Sequence, residues 1–110
     1  MDDPKAVAEL HYKMLEENNF DGWVATLTQE KQQAANVSGS SPYYWWTTGR
    51  RYVDQHGYRY KFHHEDKTGD PNRKKYFFSR LKDGKPSGMP VPIHVIKDVD
   101  GTWKVDQASY

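Results

Sequence analysis

The sequence contains no cysteine, and this absence removes several kinds of chemistry at once. A disulfide framework, a thiol nucleophile and a thiolate metal site all need this residue. No apolar run approaches the ~20 residues of a membrane-spanning helix, and no segment resembles the apolar centre of a signal peptide. We therefore expect no membrane span. An extracytoplasmic domain (secreted, or a lipoprotein domain whose signal has been removed) and a cytoplasmic one both stay open.

Hydrophobic residues are also scarce, at 35% of 110 residues, whereas aromatic residues reach 15%. Each buried ring removes roughly 150–250 Å² from water, so a few rings replace many aliphatic side chains. A chain of this length is typical of one domain. We expect residues 1–110 to share a single, aromatic-rich core.

Charge is distributed unevenly, although the formal net charge is only +1. Residues 1–30 carry seven acids and two lysines, and residues 50–85 carry eleven basic residues and five acids. Two solvated layers of opposite charge explain this pattern, and a basic surface for an anionic partner is the alternative. Basic residues interleaved with Tyr and Phe also occur in single-strand nucleic-acid grooves. Ordinary strand alternation produces the same pattern, and we expect no nucleic-acid binding.

The first half of the chain shows helical signals. Asp3-Pro4 predicts a helix start, and an apolar stripe then continues to about Asn18. Asp21 is the predicted cap of a short second helix, and Thr28 that of a polar stretch reaching Ala35. Ser41-Pro42 predicts a further helix. The apolar stripe of the first helix consists of Val7, Leu10, His11, Met14 and Leu15. The last helix is predicted to span Tyr43 to about Gln55. Residues 43–48 also favour a strand, which remains the alternative there.

From Gly57 onward the period of the pattern changes to two, which is typical of half-buried strands. Pro90 and Pro92 indicate an edge or a bulge near the start of the third strand. Asp100-Gly101 predicts a hairpin turn before Trp103. The predicted strands are Tyr58 to His63, Lys74 to Lys82, Val91 to Val95, and Thr102 to about Ala108.

The order of these elements, the Asn-Phe-Asp-Gly-Trp connection after the first helix and the closing stretch from Ile93 to Asp106 resemble the nuclear transport factor 2-like superfamily, the cone fold of ketosteroid isomerase. The closest similarity is to small bacterial extracytoplasmic domains of unknown function. The resemblance implies an α+β domain with N-terminal helices packed on a curved antiparallel sheet of about four strands, and by analogy a homodimer through the sheet face. It carries over no catalytic residue, because no strand acid matches the catalytic Asp of the isomerases.

Two histidine and aromatic clusters remain as candidate sites. His63 and His64 lie on opposite faces if the strand is regular, so they cannot chelate one ion together. His63 with Glu65, joined by His56 or His94, is the metal alternative, but the spacing matches no zinc motif. We expect strand-end surface residues, no metal and no cofactor.

Trp45 and Trp46 are the most unusual feature. On a helix, Trp46 shares a face with Tyr43, and Trp45 shares another with Tyr52. One row fits the core, and the other fits a cavity for a small hydrophobic ligand or a peptide. The predicted ligand-binding residues are Trp45, Trp46, Tyr52, Tyr60 and His94.

We expect a non-enzymatic binding or assembly module. The alternative is an isomerase or lyase of the ketosteroid isomerase type with a cavity His/Tyr pair. Its candidates are His94 or His63 as the base and Tyr60 or Tyr76 as the proton donor.

Overall fold

The computed structural model describes residues 3–110 and shows four helices followed by an antiparallel sheet. The helices are α1 (Pro4–Glu16), α2 (Phe20–Val24), α3 (Gln29–Ala34) and α4 (Ser41–His56). The strands are β1 (Arg59–Asp66), β2 (Arg73–Lys82), β3 (Lys85–Pro86), β4 (Val91–Lys97) and β5 (Trp103–Ala108). The α+β class is confirmed, with four long strands and the two-residue β3 in a sheet that does not close.

Capping side chains set the starts of α1 and α2. The Asp3 carboxylate accepts hydrogen bonds from two backbone amides of the first turn, and Pro4 needs no partner there, as predicted. The predicted cap of α2 is wrong. Asn19 accepts from the Gly22 amide at 2.9 Å, and Asp21 lies inside the helix. Either residue type can cap, so the sequence alone places the start two residues too late.

The predicted cap of α3 is confirmed, and the cap of α4 lies one residue before the predicted one. Thr28 caps α3, whereas Ser40 rather than Ser41 caps α4. Residues 43–48 are helical, so their strand alternative is wrong. Gly57 ends α4 with φ 66°, a left-handed conformation that glycine adopts without steric cost.

The strands follow the spatial order β1-β2-β4-β5, and β3 pairs with β2. The edge alternative for Pro92 is wrong, because β4 runs between β2 and β5. Within residues 3–110 no bulge lies at the prolines either: the register with β5 shifts later, between His94 and Val95, and the extra residue there is Asp106 of β5. Gly101 has φ 81° in the predicted hairpin turn, and Trp103 is buried.

The two outer strands differ in how their edges are treated. Beside β5, the Thr28 amide donates to the Val105 carbonyl at 3.1 Å, and the Val105 amide donates to the Thr26 carbonyl at 2.7 Å. Within residues 3–110 no strand pairs with the outer edge of β1. Instead, β1 carries a bulge between Phe62 and His64.

The core lies between the sheet and the helices, and it is rich in aromatic rings as predicted. The α1 stripe packs on one face of the sheet, with Trp23 of α2 fully buried beside it. Gly49 lets α4 approach, because a Cβ there would lie 2.9 Å from the Leu15 methyl groups. The buried aromatic residues are Tyr12, Trp23, Tyr76, Phe78, Trp103 and Tyr110.

Candidate ligand-binding groove

Trp45 of α4 reaches the start of β4 and the end of β5, where it borders an open groove of about 250 Å³. Pro92 and His94 alternate with the buried Ile93, so they face away from the core. The groove therefore brings together two predicted ligand residues that are distant in sequence. We call it the Trp45 groove, and its lining consists of Trp45, Pro92, His94, Gln107, Ala108 and Ser109.

The His94 ring lies at one end of a row of charged side chains that are joined by hydrogen bonds and an ion pair. Arg73 Nη1 lies 3.2 Å from His94 Nδ1, and Arg73 Nη2 donates to Asp106 Oδ2 at 3.2 Å. Lys31 Nζ is 3.8 Å from the other oxygen of the same carboxylate. Since a guanidinium can only donate, His94 Nδ1 must accept. The ring proton therefore sits on Nε2.

The electrostatic surroundings agree with this assignment. Partial burial lowers the pKa of His94, and the charges of Arg73 and Lys75 lower it further, against an opposite effect of Asp106. His94 is therefore neutral at physiological pH. Its Nε2–H is a hydrogen-bond donor that the protein has already oriented.

The structure separates the other predicted ligand residues from this groove. Trp46 packs inward, with its ring centroid 5.2 Å from that of Trp23. Tyr60 stacks on Tyr12 at 4.6 Å, inside the domain. Tyr52 lies further along α4, and none of the three lines the Trp45 groove. Both tryptophans are half-buried against the core, Trp46 on the side of α2 and Trp45 on the side of the ends of β4 and β5.

The predicted proton-transfer residues do not form a pair. His63 is exposed on β1. The Tyr60 hydroxyl donates to the main-chain oxygen of Tyr110 at 3.0 Å, and burial raises the Tyr60 pKa. Tyr76 faces the core, and burial raises its pKa to about 12. In the part of the chain that the structure describes, no hydrogen bond joins any two of the four candidates.

The prediction that His63 and His64 lie on opposite faces is wrong. The bulge of β1 inserts His63 as an unpaired residue, and His64 pairs with Phe77. As a result the two Nδ1 atoms are 2.6 Å apart. Across residues 3–110, no group of three or more His, Asp or Glu side chains is placed to share a metal ion.

A fully buried polar cluster around His11 is the feature that sequence reasoning missed. His11 Nε2 lies 2.6 Å from the Tyr110 hydroxyl and accepts from Trp23 Nε1 at 3.1 Å. His11 Nδ1 lies 2.8 Å from Thr26 Oγ1, which donates to the Trp23 carbonyl at 2.6 Å. The ring therefore carries its proton on Nδ1. We call these four residues the His11 cluster.

The His11 cluster is closed to solvent. Burial lowers the pKa of His11 to about 3 and raises that of Tyr110. His11 was predicted as part of the apolar stripe, and its position is confirmed. Its hydrogen-bond partners lie on α2, beyond α2 and at the end of the described chain, so no local pattern could reveal them. Each of its ring nitrogens is already used, so the cluster has a structural role.

A second depression, of about 230 Å³, lies between α1 and β5. Its lining is mostly apolar, and the Thr26 hydroxyl at its edge is already hydrogen-bonded inside the His11 cluster. This depression therefore offers less to orient a ligand than the Trp45 groove does. Its lining consists of Val7, Leu10, Ala25, Thr26, Trp103 and Lys104.

Residues 3–110 include no helix with the length and apolar character that crossing a membrane requires. Comparison of the chain with protein-family models, with curated proteins and with solved structures finds no match.

Proposed function

We propose that this chain is a non-enzymatic binding module whose ligand occupies the Trp45 groove. The ligand is a small amphipathic molecule or a short peptide. Its apolar part packs on Trp45 and Pro92, and a carbonyl or carboxylate oxygen accepts the hydrogen bond of His94 Nε2–H. Pockets of this kind combine an apolar wall with a few oriented polar groups.

One observation carries the choice between binding and catalysis. A general base needs a lone pair that can reach the substrate. In His94 the lone pair of Nδ1 faces Arg73 Nη1 at 3.2 Å, and the other nitrogen carries a proton. His94 is thus arranged to donate to a ligand, which favours recognition over proton abstraction.

The fold relationship is part of the same proposal. Helices that precede a sheet of four long antiparallel strands, with the predicted hairpin before Trp103, support membership of the nuclear transport factor 2-like superfamily. Ligand binding on a shared fold still has to be argued from the site itself.

A fragment screen read by ¹H–¹⁵N NMR tests the binding proposal. The four tryptophans give four indole signals. We expect a subset of amphipathic fragments to shift the Trp45 signal in a saturable way, with the buried Trp23 signal unchanged. Fragments that lack an acceptor oxygen serve as the control set for fragments that carry one.

The variant His94→Ala tests the hydrogen bond from His94 separately from the apolar contact with Trp45 and Pro92. It should weaken fragments that carry an acceptor and leave purely apolar ones unaffected. If no fragment shifts the Trp45 signal, or if acceptor fragments bind the variant equally well, the proposed function is wrong.

A further inference from the structure

The bulge of β1 creates a second cluster that the Trp45 groove does not use. His63 and His64 present their rings to each other, with centroids 4.8 Å apart and Nδ1 atoms 2.6 Å apart. Both residues are exposed. In a regular strand two adjacent side chains diverge, so this convergence is a direct product of the bulge.

A contact with β2 holds one ring of the pair in position. The His64 ring stacks on Phe77 of β2 at 4.6 Å, with the planes only 8° apart. The nearby Lys75 ammonium is 5.1 Å from the Phe77 ring centroid and 3.9 Å from an Asp66 oxygen, so its charge has a counter-ion. One imidazole is therefore held in place while the other lies at its edge.

We propose that His63 and His64 form a two-histidine binding site for Cu²⁺. Imidazole nitrogen is a preferred ligand of copper, and the remaining positions of an exposed site are filled by water. In the metal-free pair one Nδ1 donates a proton to the other. On binding the ion, the donor ring changes tautomer: it loses the proton at Nδ1 and takes one up at Nε2, so that both Nδ1 lone pairs face the ion and no net proton is released.

The distance between the nitrogens favours a right-angled over a tetrahedral arrangement of the two ligands. With metal–nitrogen bonds of about 2.0–2.1 Å, two nitrogens at a right angle lie about 2.9 Å apart, and two at a tetrahedral angle about 3.3 Å apart. The pair at 2.6 Å is closer to the right-angled arrangement. Right-angled ligand positions occur in tetragonal Cu²⁺ and in square-planar or octahedral sites of other divalent metals, and among the first-row metals Cu²⁺ binds nitrogen sites most tightly.

Titration calorimetry and electron paramagnetic resonance with Cu²⁺ alone, near neutral pH in a non-coordinating buffer, test this site. We expect one tight Cu²⁺ per chain, with hyperfine structure from two imidazole nitrogens. His63→Gln and His64→Gln should each lower the affinity by at least about tenfold, since each removes one of two protein ligands. Zn²⁺ should bind more weakly than Cu²⁺.

His56→Gln is the matched control, because His56 is also exposed and also stacked on an aromatic ring, that of Tyr58, at 5.2 Å. It should leave the affinity for Cu²⁺ unchanged. Tight binding that survives both His63→Gln and His64→Gln, or that is lost equally in His56→Gln, overturns the proposal. So does a spectrum with a single coordinated nitrogen.

Discussion

Two histidines of this molecule have opposite roles although both are neutral. His11 is fully buried and uses both ring nitrogens within the protein. His94 is only partly buried, and Arg73 contacts one nitrogen and leaves the other. The more deeply buried and more strongly shifted histidine is thus the structural one. An unused, oriented nitrogen therefore marks a candidate site better than burial does.

The largest expected effect separates the two histidines by stability. His11→Ala should lower the free energy of unfolding by about 4 kcal/mol, since it leaves a cavity and removes partners from Trp23, Thr26 and Tyr110. His94→Ala should cost less than about 1 kcal/mol, because Arg73 keeps its bond to Asp106. Urea denaturation measures both values. Equal losses would remove the distinction drawn between the two rings.

The adjacent tryptophans extend the comparison to packing. Trp46→Ala should destabilise the protein by about 2–3 kcal/mol, since Trp46 packs against Phe20 and Trp23. Trp45→Ala should cost about 1 kcal/mol and should abolish fragment binding instead. Chemical denaturation and the fragment titration together check this. A larger stability loss for Trp45→Ala would contradict the assignment of the two faces.

The pH dependence of stability tests the buried state of His11. Its pKa is about 3 in the folded protein and about 6.5 when unfolded, so the unfolded chain binds a proton first as the pH falls. Stability should therefore be fully present above about pH 6.5 and decline by about 1.4 kcal/mol per pH unit from there toward pH 3. The difference in unfolding free energy between wild type and His11→Gln isolates this contribution.

Two other titrating groups, Glu16 and His94, also affect the dependence of stability on pH. Burial raises the pKa of Glu16, which acts in the opposite direction but equally in both proteins. His94→Gln should retain most of the wild-type slope. A wild-type slope that persists in His11→Gln would show that other groups cause it.

The smallest expected effect concerns the state of His94. In Arg73→Met the pKa of His94 should rise, because the neighbouring positive charge is lost while the burial stays. Stability should change little, since Lys31 still faces Asp106. NMR titration of the His94 ring protons measures the shift. An unchanged or lower pKa would mean that Arg73 does not determine the state of this ring.

The sequence predicted the fold class and most elements because those depend on local periodicity and capping. The α1 stripe, the Thr28 cap and the Asp100-Gly101 turn are all local signals. The errors arose in two situations. Asn19 and Asp21 are both residue types that cap helices, so the sequence alone did not decide which of them starts α2. At His63 a bulge interrupts the regular alternation of β1.

The site was only half predictable for a related reason. Trp45 and His94 stood out by residue type, but Arg73, Gln107 and Ser109 gained their roles from pairing and register. Register and bulges depend on contacts between distant strands, which a single sequence does not display. Tyr60 lies away from the Trp45 groove, and a phenol in an alternating strand fits the core as well as a cavity, so the sequence alone does not distinguish the two positions.

The bulge of β1 also bears on how the protein avoids self-association. An exposed strand edge offers unpaired amides and carbonyls to another chain, and such edges promote aggregation. Beside β5 the segment around Leu27 covers the edge through its bridge to Val105. On β1 the same protection comes from irregularity and charge: the unpaired His63 breaks the ladder, and Arg59, Lys61 and Asp66 keep the edge hydrated. Removing His63 to restore a regular strand would leave a straighter edge, more open to sheet extension between molecules.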